Sequence, residues 1–287
     1  MCAEDRLDRL MQMPIEELET RARLKFRLFP DIPALLGHFA QSIAEEIRAH
    51  NERREPTRLI LPVGPVAQYP MLAGITNRER ISWKNVFLFQ MDEFLDWQGR
   101  PIPLSHALSF QACLQSKLIA TIDEDLRPPL EHHFCPHPFL IDEISEKIRE
   151  VGGIDVCYGG IGYHGHVAFN EPPNTRWSRI SEQELRESLT RVVVLGSDSI
   201  VVQSIGSAGG NAAAIPPMAV TLGMKDILAS RKIRLYCAGG ERHRAVFRIA
   251  VAGEVTTDYP VTLVQGHPDA MVHTDAAAAQ PIAVGLR

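Results

Sequence analysis

Short apolar runs alternate with amphipathic helical stripes along most of this chain, and this alternation constrains the fold more than any other feature. The apolar runs predict six strands, at residues 58–63, 85–90, 154–158, 191–195, 233–237 and 261–264. Periodic apolar positions between them predict helices at residues 31–50, 104–119, 140–151 and 241–252. Strands that alternate with helices in this way are typical of an α/β fold, in which helices cover both faces of a mostly parallel sheet.

The first long helix shows how local signals support this interpretation. Asp31 is placed as an N-cap, and Pro33 falls in the first turn. Apolar residues then recur every four positions, at Leu35, Phe39, Ile43 and Ile47. The length allows one large α/β domain, so we expect a single domain spanning residues 1–287, with residues 1–30 as an N-terminal helical extension.

The charge balance and the apolar content disfavour several classes of protein. The chain has 30 Lys and Arg residues against 35 Asp and Glu residues, and it lacks the basic patch of a nucleic-acid binder. No apolar run approaches the ~18–20 residues of a membrane span, and the charged N-terminus lacks the order of a signal peptide. We therefore expect a cytoplasmic protein that binds neither nucleic acid nor membrane. The cysteines include no CxxC pair, which favours reduced thiols over a disulfide framework.

The most distinctive segment follows the predicted strand at 154–158, and ligands of parallel sheets bind beyond the carboxyl ends of the strands. Residues 159–172 read Gly-Gly-Ile-Gly-Tyr-His-Gly-His-Val-Ala-Phe-Asn-Glu-Pro. Glycines often serve only tight turns, and a histidine is often a hydrogen-bonded core residue. Their concentration in one loop favours a functional site, in which glycines admit a ligand while imidazoles and a carboxylate exchange protons. The candidates are Gly160, Gly162, Gly165, His164, His166 and Glu171.

Two adjacent carboxylates, Asp92 and Glu93, follow the predicted strand at 85–90. Such a pair is costly to bury unless it is partnered, so it either faces solvent in a turn or works as acid and base. Because this loop should lie at the same edge of the sheet as the histidines, we regard both carboxylates as catalytic candidates.

These two segments resemble the signature regions of the glucosamine-6-phosphate deaminase and 6-phosphogluconolactonase family. Residues 61–64 (Leu-Pro-Val-Gly) stand where that family has its phosphate loop, and residues 219–223 and 265–268 are similar to later family segments. The similarity covers roughly residues 58–272. Residues 169–172 (Phe-Asn-Glu-Pro) are similar to the deaminase branch rather than to the lactonase branch.

The resemblance implies a three-layer αβα sandwich with a Rossmann-like sheet and an aldose–ketose type reaction on an amino sugar or its phosphate. By that resemblance, His166 opens the sugar ring with support from Glu171, and Asp92 moves a proton between C2 and C1 before ammonia leaves. We expect no cofactor and no metal, and a homo-oligomer whose partner is a small sugar or sugar phosphate. The substrate-binding candidates are Gly64, Gly160, Gly162, Gly165, Asn170, Ser204 and Arg244.

The chain departs from the family pattern at several positions. His164 stands where the family has an aspartate, so the carboxylate that would orient the catalytic imidazole is missing. Pro65 and Val66 replace a glycine and a hydroxyl residue of the phosphate loop, and Ile205 stands in place of an expected arginine. Proline has no N–H and valine no hydroxyl, so these departures predict weaker phosphate binding unless Arg244 substitutes for the family's phosphate lysine.

Two alternatives to an amino-sugar deaminase stay open at this point. One is hydrolysis of a sugar lactone, in which His166 activates water, and the other is a sugar-binding protein without catalysis. For His164, either the imidazole exchanges protons alongside His166 and Glu171, or these residues surround a divalent metal with or without Asp92. We favour the metal-free arrangement, because two histidines one residue apart in a glycine-rich loop are weak support for a ligand set.

Overall fold

The computed structural model describes residues 3–283, which form two β-sheets surrounded by helices. The strands are β1 (Lys25–Phe29), β2 (Thr57–Leu61), β3 (Val86–Gln90), β4 (Asp92–Leu95), β5 (His133–Phe134), β6 (Val156–Gly160), β7 (Arg191–Val194), β8 (Met218–Thr221), β9 (Lys232–Cys237) and β10 (Ala270–Asp275). The larger sheet has the order β1-β10-β9-β6-β2-β3-β5, and its neighbouring strands all pair in parallel. The smaller sheet, β4-β8-β7, is antiparallel. The predicted α/β fold with a mostly parallel sheet is confirmed.

Helices cover both faces of the larger sheet. The α-helices are α1 (Ala3–Gln12), α2 (Ile15–Arg21), α3 (Ile32–Arg53), α4 (Gln68–Glu79), α5 (Phe110–Lys117), α6 (Glu143–Glu150), α7 (Glu182–Arg186), α8 (Ser197–Ser207), α9 (Met224–Leu228), α10 (Arg244–Ala252) and α11 (Ala276–Ala279). Successive residues of β2 point to opposite faces of the sheet. Leu59 and Leu61 pack with α3 and α4 in one core, and Ile60 packs with α6 and α10 in the other. The three-layer αβα sandwich follows from these two cores.

Helix α3 forms as its sequence predicts. The side chain of Asp31 accepts a hydrogen bond from the Ala34 N–H at 2.8 Å and caps the first turn. Four apolar side chains at four-residue spacing, Leu35, Phe39, Ile43 and Ile47, are fully buried against the sheet. The helix continues to Arg53, beyond the predicted end near His50, and stops where Arg54 adopts a left-handed conformation.

The predicted helical extension over residues 1–30 is wrong in its last part. Residues 25–29 form β1, which pairs in parallel with β10 at the edge of the larger sheet. Lys25 and Arg27 interrupt the apolar pattern of this strand, because an edge strand is only partly covered. The apolar pattern of residues 25–29 therefore does not predict a strand.

Two other predicted strands differ from the structure. The apolar run at 261–264 lies in a buried 3₁₀ helix, Pro260–Gly266, because periodicity alone does not distinguish a short buried strand from a short helix. The strand that follows is β10, which the sequence analysis missed. The run at 191–195 does form a strand, β7, but this strand belongs to the smaller antiparallel sheet.

The smaller sheet also changes the setting of the acidic pair. Asp92 and Glu93 lie in β4 rather than in a loop, and Asp92 is aligned with Thr221 of β8. Helix α5 begins at Phe110 with Ser109 as its N-cap, later than the predicted start at residue 104. Among the residues described, no helix is both long and apolar enough to cross a membrane.

Candidate active site

A cavity of about 210 Å³ lies at the carboxyl ends of the central strands of the larger sheet, where the sequence analysis expects ligands. The segments that follow β2, β3 and β6 line most of it, and residues of α8 line another side. Because these segments come from distant parts of the chain, the cavity exists only in the folded protein.

Two glycines that are substrate-binding candidates, Gly64 and Gly160, lie in contact with each other at the cavity wall. A Cβ atom built on Gly160 would lie 2.3 Å from the carbonyl oxygen of Gly64, so the two backbones approach too closely for any side chain. Gly64 itself has a φ of +152°, a conformation that favours glycine, and precedes Pro65 through a cis peptide bond. Both glycines line the cavity.

Gly162 and Gly165 set the position of His166. A Cβ atom on Gly162 would lie 1.9 Å from Nε2 of His166, so the imidazole occupies the space that a side chain would need. The Gly162 N–H donates to the His166 carbonyl at 2.9 Å, and the Gly165 N–H donates to the Gly162 carbonyl at 2.9 Å. Gly165 has a φ of +76°, which explains a glycine at this turn. Gly162 and His166 line the cavity, and Gly165 shapes the turn between them.

His164 and His166 form an imidazole pair, with their Nδ1 atoms 3.3 Å apart. Nε2 of His164 lies 3.3 Å from Oγ of Ser199 in α8. Two lone pairs cannot bond to each other, so one Nδ1 atom carries the shared hydrogen. If Nε2 of His164 donates to Ser199, then Nδ1 of His166 donates to His164, and Nε2 of His166 is left as a proton acceptor.

Burial is the main reason that His166 is neutral. Loss of solvation and, to a smaller extent, the neighbouring His164 and His243 together lower the pKa of His166 to about 3. An imidazole that stays neutral at physiological pH can accept a proton from a bound hydroxyl group.

Glu171 lies beside this imidazole pair. One carboxylate oxygen accepts a hydrogen bond from the Gly196 N–H at 2.7 Å, whereas the other, Oε1, is buried without a hydrogen-bond partner in the described chain. One potential ligand atom from each of His164, His166 and Glu171 lies within 4.8 Å of the other two.

These three residues are also a donor set that a divalent cation could use. Two ligands of a tetrahedral zinc ion, each at about 2.1 Å, are about 3.4 Å apart, which is near the separation of the two Nδ1 atoms. A separation of up to 4.8 Å is longer than a zinc site would hold, so the side chains would have to move. The hydrogen-bonded imidazole pair needs no such movement, which favours the metal-free arrangement.

Asp92 faces the same cavity from β4. Burial and, to a smaller extent, the adjacent negative charge of Glu93 together raise the pKa of Asp92 from its ordinary value of 3.8 to about 8. In the ligand-free protein this carboxyl group therefore holds a proton at neutral pH. A positively charged group bound next to it would favour the ionised form.

Glu93 does not line this cavity, and its prediction as a catalytic residue is corrected. Because neighbouring residues of a strand point to opposite faces, its carboxylate turns away from the side that Asp92 occupies. It accepts hydrogen bonds from the Phe110 and Gln111 N–H groups at 2.9 and 2.8 Å and from the Ser109 hydroxyl at 3.1 Å. Glu93 therefore anchors the beginning of α5, where a helix attracts negative charge.

Asn170 is fully buried and braces the loop instead of facing the cavity. Its Nδ2 donates to the carbonyls of Val167 and Leu222 at 3.0 and 2.8 Å, and its Oδ1 accepts from Arg191 at 2.9 Å. The Phe169 N–H donates to Thr221 Oγ1 at 3.0 Å. These bonds fasten the loop that carries His166 to the small sheet that carries Asp92.

Two further binding candidates also lie outside the cavity lining. Ser204 is buried within α8, and its hydroxyl donates to the Val201 carbonyl at 2.8 Å, a local bond within the helix. Arg244 donates from Nε to the Ala277 carbonyl at 2.9 Å and forms an ion pair with Glu241 at 3.2 Å. These contacts engage the Ser204 hydroxyl and two of the three guanidinium nitrogens of Arg244.

The structure adds residues that the sequence analysis missed. Ser199 and Gln203 enter the cavity from one face of α8, at the four-residue spacing that a helical pattern could have revealed. His243 enters from the turn before α10, and its ring packs on Gly239, where a Cβ atom would lie 2.4 Å away. Burial lowers the pKa of His243.

A groove of about 420 Å³ adjoins the cavity on the side of α8. Tyr163, Val202 and His243 line both spaces, so the groove continues the cavity. Its remaining lining includes Val201, Ile205 and Arg242.

Known proteins resemble this chain over most of its length. A glucosamine-6-phosphate deaminase from Bacteroides fragilis (strain ATCC 25285) is 28% identical over 263 residues, which cover 89% of this chain and 90% of that protein. A glucosamine-6-phosphate deaminase from Borrelia garinii subsp. bavariensis is 29% identical over 252 residues, which cover 86% of this chain and 87% of that protein. No protein-family model matches the chain.

Solved structures show the same fold. A monomeric glucosamine-6-phosphate deaminase matches with a TM-score of 0.75 at 22% identity, over 89% of this chain and 99% of that chain. A 6-phosphogluconolactonase from Shewanella baltica matches with a TM-score of 0.65 at 19% identity, over 88% of this chain and 98% of that chain. The resemblance that the sequence motifs predict is confirmed.

Proposed function

We propose that this chain, a relative of the glucosamine-6-phosphate deaminases, converts an amino sugar into a ketose and ammonia through an aldose–ketose isomerisation. One observation carries the proposal: Asp92 and His166 face the same cavity with pKa values shifted in opposite directions, to about 8 and about 3. At neutral pH the free protein therefore holds a protonated Asp92 and a neutral His166 in one cavity, and each can exchange a proton with a different part of the substrate.

Ring opening uses His166. The neutral imidazole accepts the proton of the C1 hydroxyl and returns it to the ring oxygen as the bond between C1 and that oxygen breaks. His164 orients the imidazole through the contact between the two Nδ1 atoms, in place of a carboxylate. Glu171 lies within reach of the pair, and its free oxygen can stabilise a protonated His166 while the proton is in transit.

Proton transfer along the open chain uses Asp92. The ionised carboxylate removes the hydrogen at C2 as a proton, which exchanges with solvent while Asp92 holds it, and then delivers a proton to C1. The C2 ammonium group passes one proton to the C1 carbonyl oxygen, which leaves a C2 iminium group and a C1 alcohol. Water then adds to C2 and ammonia leaves, so the ketose forms without a net oxidation or reduction. The ammonium group of the bound substrate is attached to C2, and its positive charge favours the ionised form of Asp92 before the proton transfer.

Hydrolysis of a sugar lactone is the second candidate function. A neutral His166 could activate water for attack on a lactone carbonyl, and a lactonase shares the fold. Lactone hydrolysis would give no chemical role to Asp92. This carboxyl group is nevertheless buried in the cavity wall, where an unused ionisable group would be costly. The residues of this chain therefore favour the deaminase reaction. A homo-oligomeric state and a cytoplasmic location stay predictions from the sequence.

The test is a turnover assay on the purified full chain with 2-amino-2-deoxyhexoses and their 6-phosphates, and with the corresponding sugar lactones. We expect ammonia release from at least one amino sugar, lost in Asp92→Asn and retained in Asp125→Asn, which changes an exposed aspartate. Lactone opening without ammonia release would support the second candidate, and binding without turnover would indicate a non-catalytic sugar-binding protein.

Metal analysis before and after chelation accompanies the assay. Zinc in stoichiometric amount, lost together with activity, would contradict the metal-free arrangement.

A further inference from the structure

The groove beside the cavity is lined mainly by uncharged side chains. Helix α8 contributes three aliphatic residues to it, and Val201 and Ile205 remain 50% and 58% exposed. Val202, the third, also lines the cavity, so aliphatic side chains line both the cavity and the groove that adjoins it. Exposed aliphatic side chains that border a catalytic cavity are suited to a ligand that covers them.

The charged groups of the groove are poorly arranged for a phosphate ester. Arg242 is the one Lys or Arg among the residues that line it, and Asp198 contributes a carboxylate to the same lining. Asp198 lies in the first turn of α8, where the partial positive charge of the helix would otherwise attract an anion. A phosphate site normally supplies several N–H donors or cations, and the neighbouring loop contains Pro65, which has no N–H.

We infer that this groove binds an uncharged, apolar substituent of the amino-sugar substrate, carried at the end of the sugar distant from C1 and C2, in place of a phosphate ester. The inference rests on the proposed function for the identity of the sugar. Because C1 and C2 must lie near Asp92, the opposite end of a hexose is the part that can extend past Tyr163 and Val202. Ile205 is then a specificity-determining residue.

The first measurement is binding to the Asp92→Asn variant, which prevents turnover and mimics the protonated carboxyl group. The ligands are glucosamine, glucosamine 6-phosphate and 6-O-butanoylglucosamine, compared by calorimetry at one ionic strength. Each methylene group removed from water strengthens binding about fourfold at most, so we expect the butanoyl ester to bind about tenfold more tightly than glucosamine. We expect glucosamine 6-phosphate to bind no more tightly than glucosamine.

The second measurement uses the substitution Ile205→Arg. A guanidinium group in the groove can hold a phosphate with two hydrogen bonds, so we expect the Kd for glucosamine 6-phosphate to fall about tenfold and the Kd for the butanoyl ester to rise. Leu130→Arg adds the same charge at an apolar residue that is 80% exposed and outside the groove, and it should leave the order of affinities unchanged.

Tighter binding of glucosamine 6-phosphate than of the butanoyl ester, weakened by Arg242→Gln, would overturn the inference and assign the phosphate to Arg242. Failure of all three sugars to bind would overturn it as well. The proposed function fails separately: if the affinities follow the expected order but the wild-type protein releases no ammonia from any amino sugar, the groove assignment stands and the deaminase reaction does not.

Discussion

Asp92 and Glu93 are neighbours in β4, and their carboxylates lie on opposite faces of the strand. Asp92 lines the cavity, whereas Glu93 accepts hydrogen bonds from the N–H groups of Phe94, Phe110 and Gln111. The charge of Glu93 also contributes to the raised pKa of Asp92. One residue thus holds α5 in place and adjusts the proton affinity of the other.

Glu93→Gln tests this relationship. The amide presents N–H groups to backbone donors, so we expect the free energy of unfolding to fall by about 1–3 kcal/mol in urea denaturation. Removal of the charge should also lower the pKa of Asp92, which shifts the acidic limb of the kcat/KM profile to lower pH. Glu131→Gln, at an exposed position, is the matched control and should change neither quantity. A loss of stability without a shift of the pH profile would show that Glu93 is only structural.

The proposed role of Asp92 requires its ionised form, and this requirement predicts the pH dependence of activity. Because its pKa is raised to about 8 in the free protein, kcat/KM should rise about tenfold per pH unit below that value and level off above it. The ammonium group of the bound substrate favours the ionised form, so the corresponding limb of kcat should lie at lower pH. A kcat/KM profile that is flat between pH 6 and 9 would contradict this role of Asp92.

The same shift predicts a pH dependence of stability. Between its ordinary pKa of 3.8 and the raised pKa of about 8, Asp92 ionises in the unfolded protein but stays protonated in the folded protein. Folding stability is therefore lost as the pH rises through this window. Asp92→Asn removes the dependence, so its stability relative to the wild type should increase by about 1.4 kcal/mol per pH unit there.

His164→Asp places a carboxylate beside His166. An opposite charge at this distance favours the protonated imidazole, so we expect the pKa of His166 to rise by about 1–3 units in a histidine NMR titration. His137→Asp, at an exposed histidine, should leave the His166 titration unchanged. An unaltered pKa of His166 in His164→Asp would show that the contact between the two Nδ1 atoms does not control the proton on His166.

Gly162→Ala tests how Gly162 positions the imidazole of His166. The added methyl group would lie 1.9 Å from Nε2 of His166, so the ring must move and turnover should fall at least about a hundredfold. Gly74→Ala is the matched control, because no atom lies within 4 Å of the added carbon in α4. That control should keep full activity and gain about 0.5–1 kcal/mol of stability. Equal activities of the two variants would contradict the claim that the His166 ring needs a glycine at position 162.

The sequence predicted the fold where patterns are local and strong. The apolar runs that became β2, β3, β6 and β9 are buried on both faces, so their composition alone identified them. Edge strand β1 was not predicted, because charged residues on its solvent-exposed side interrupt the apolar pattern.

The site was predictable in residue type but not in orientation. Asp92 and His166 line the cavity as expected, whereas Glu93 and Asn170 are turned away by partners at Ser109 and Arg191 that no spacing pattern connects to them. The lining by α8 was missed because a helix at 197–207 was not predicted, and only the fold brings Ser199 next to His164.

Solvent-deuterium incorporation tests proton transfer by Asp92 most directly. The wild-type protein is incubated in D₂O with the amino sugar that releases ammonia, and the ketose is analysed for deuterium at C1 by mass spectrometry and NMR. We predict deuterium at C1 in the wild-type product, with turnover lowered about 10²–10⁴-fold in Asp92→Asn while the sugar still binds. An Asp92→Asn protein that turns over at nearly the wild-type rate and still places deuterium at C1 would contradict the assignment of the proton transfer to Asp92.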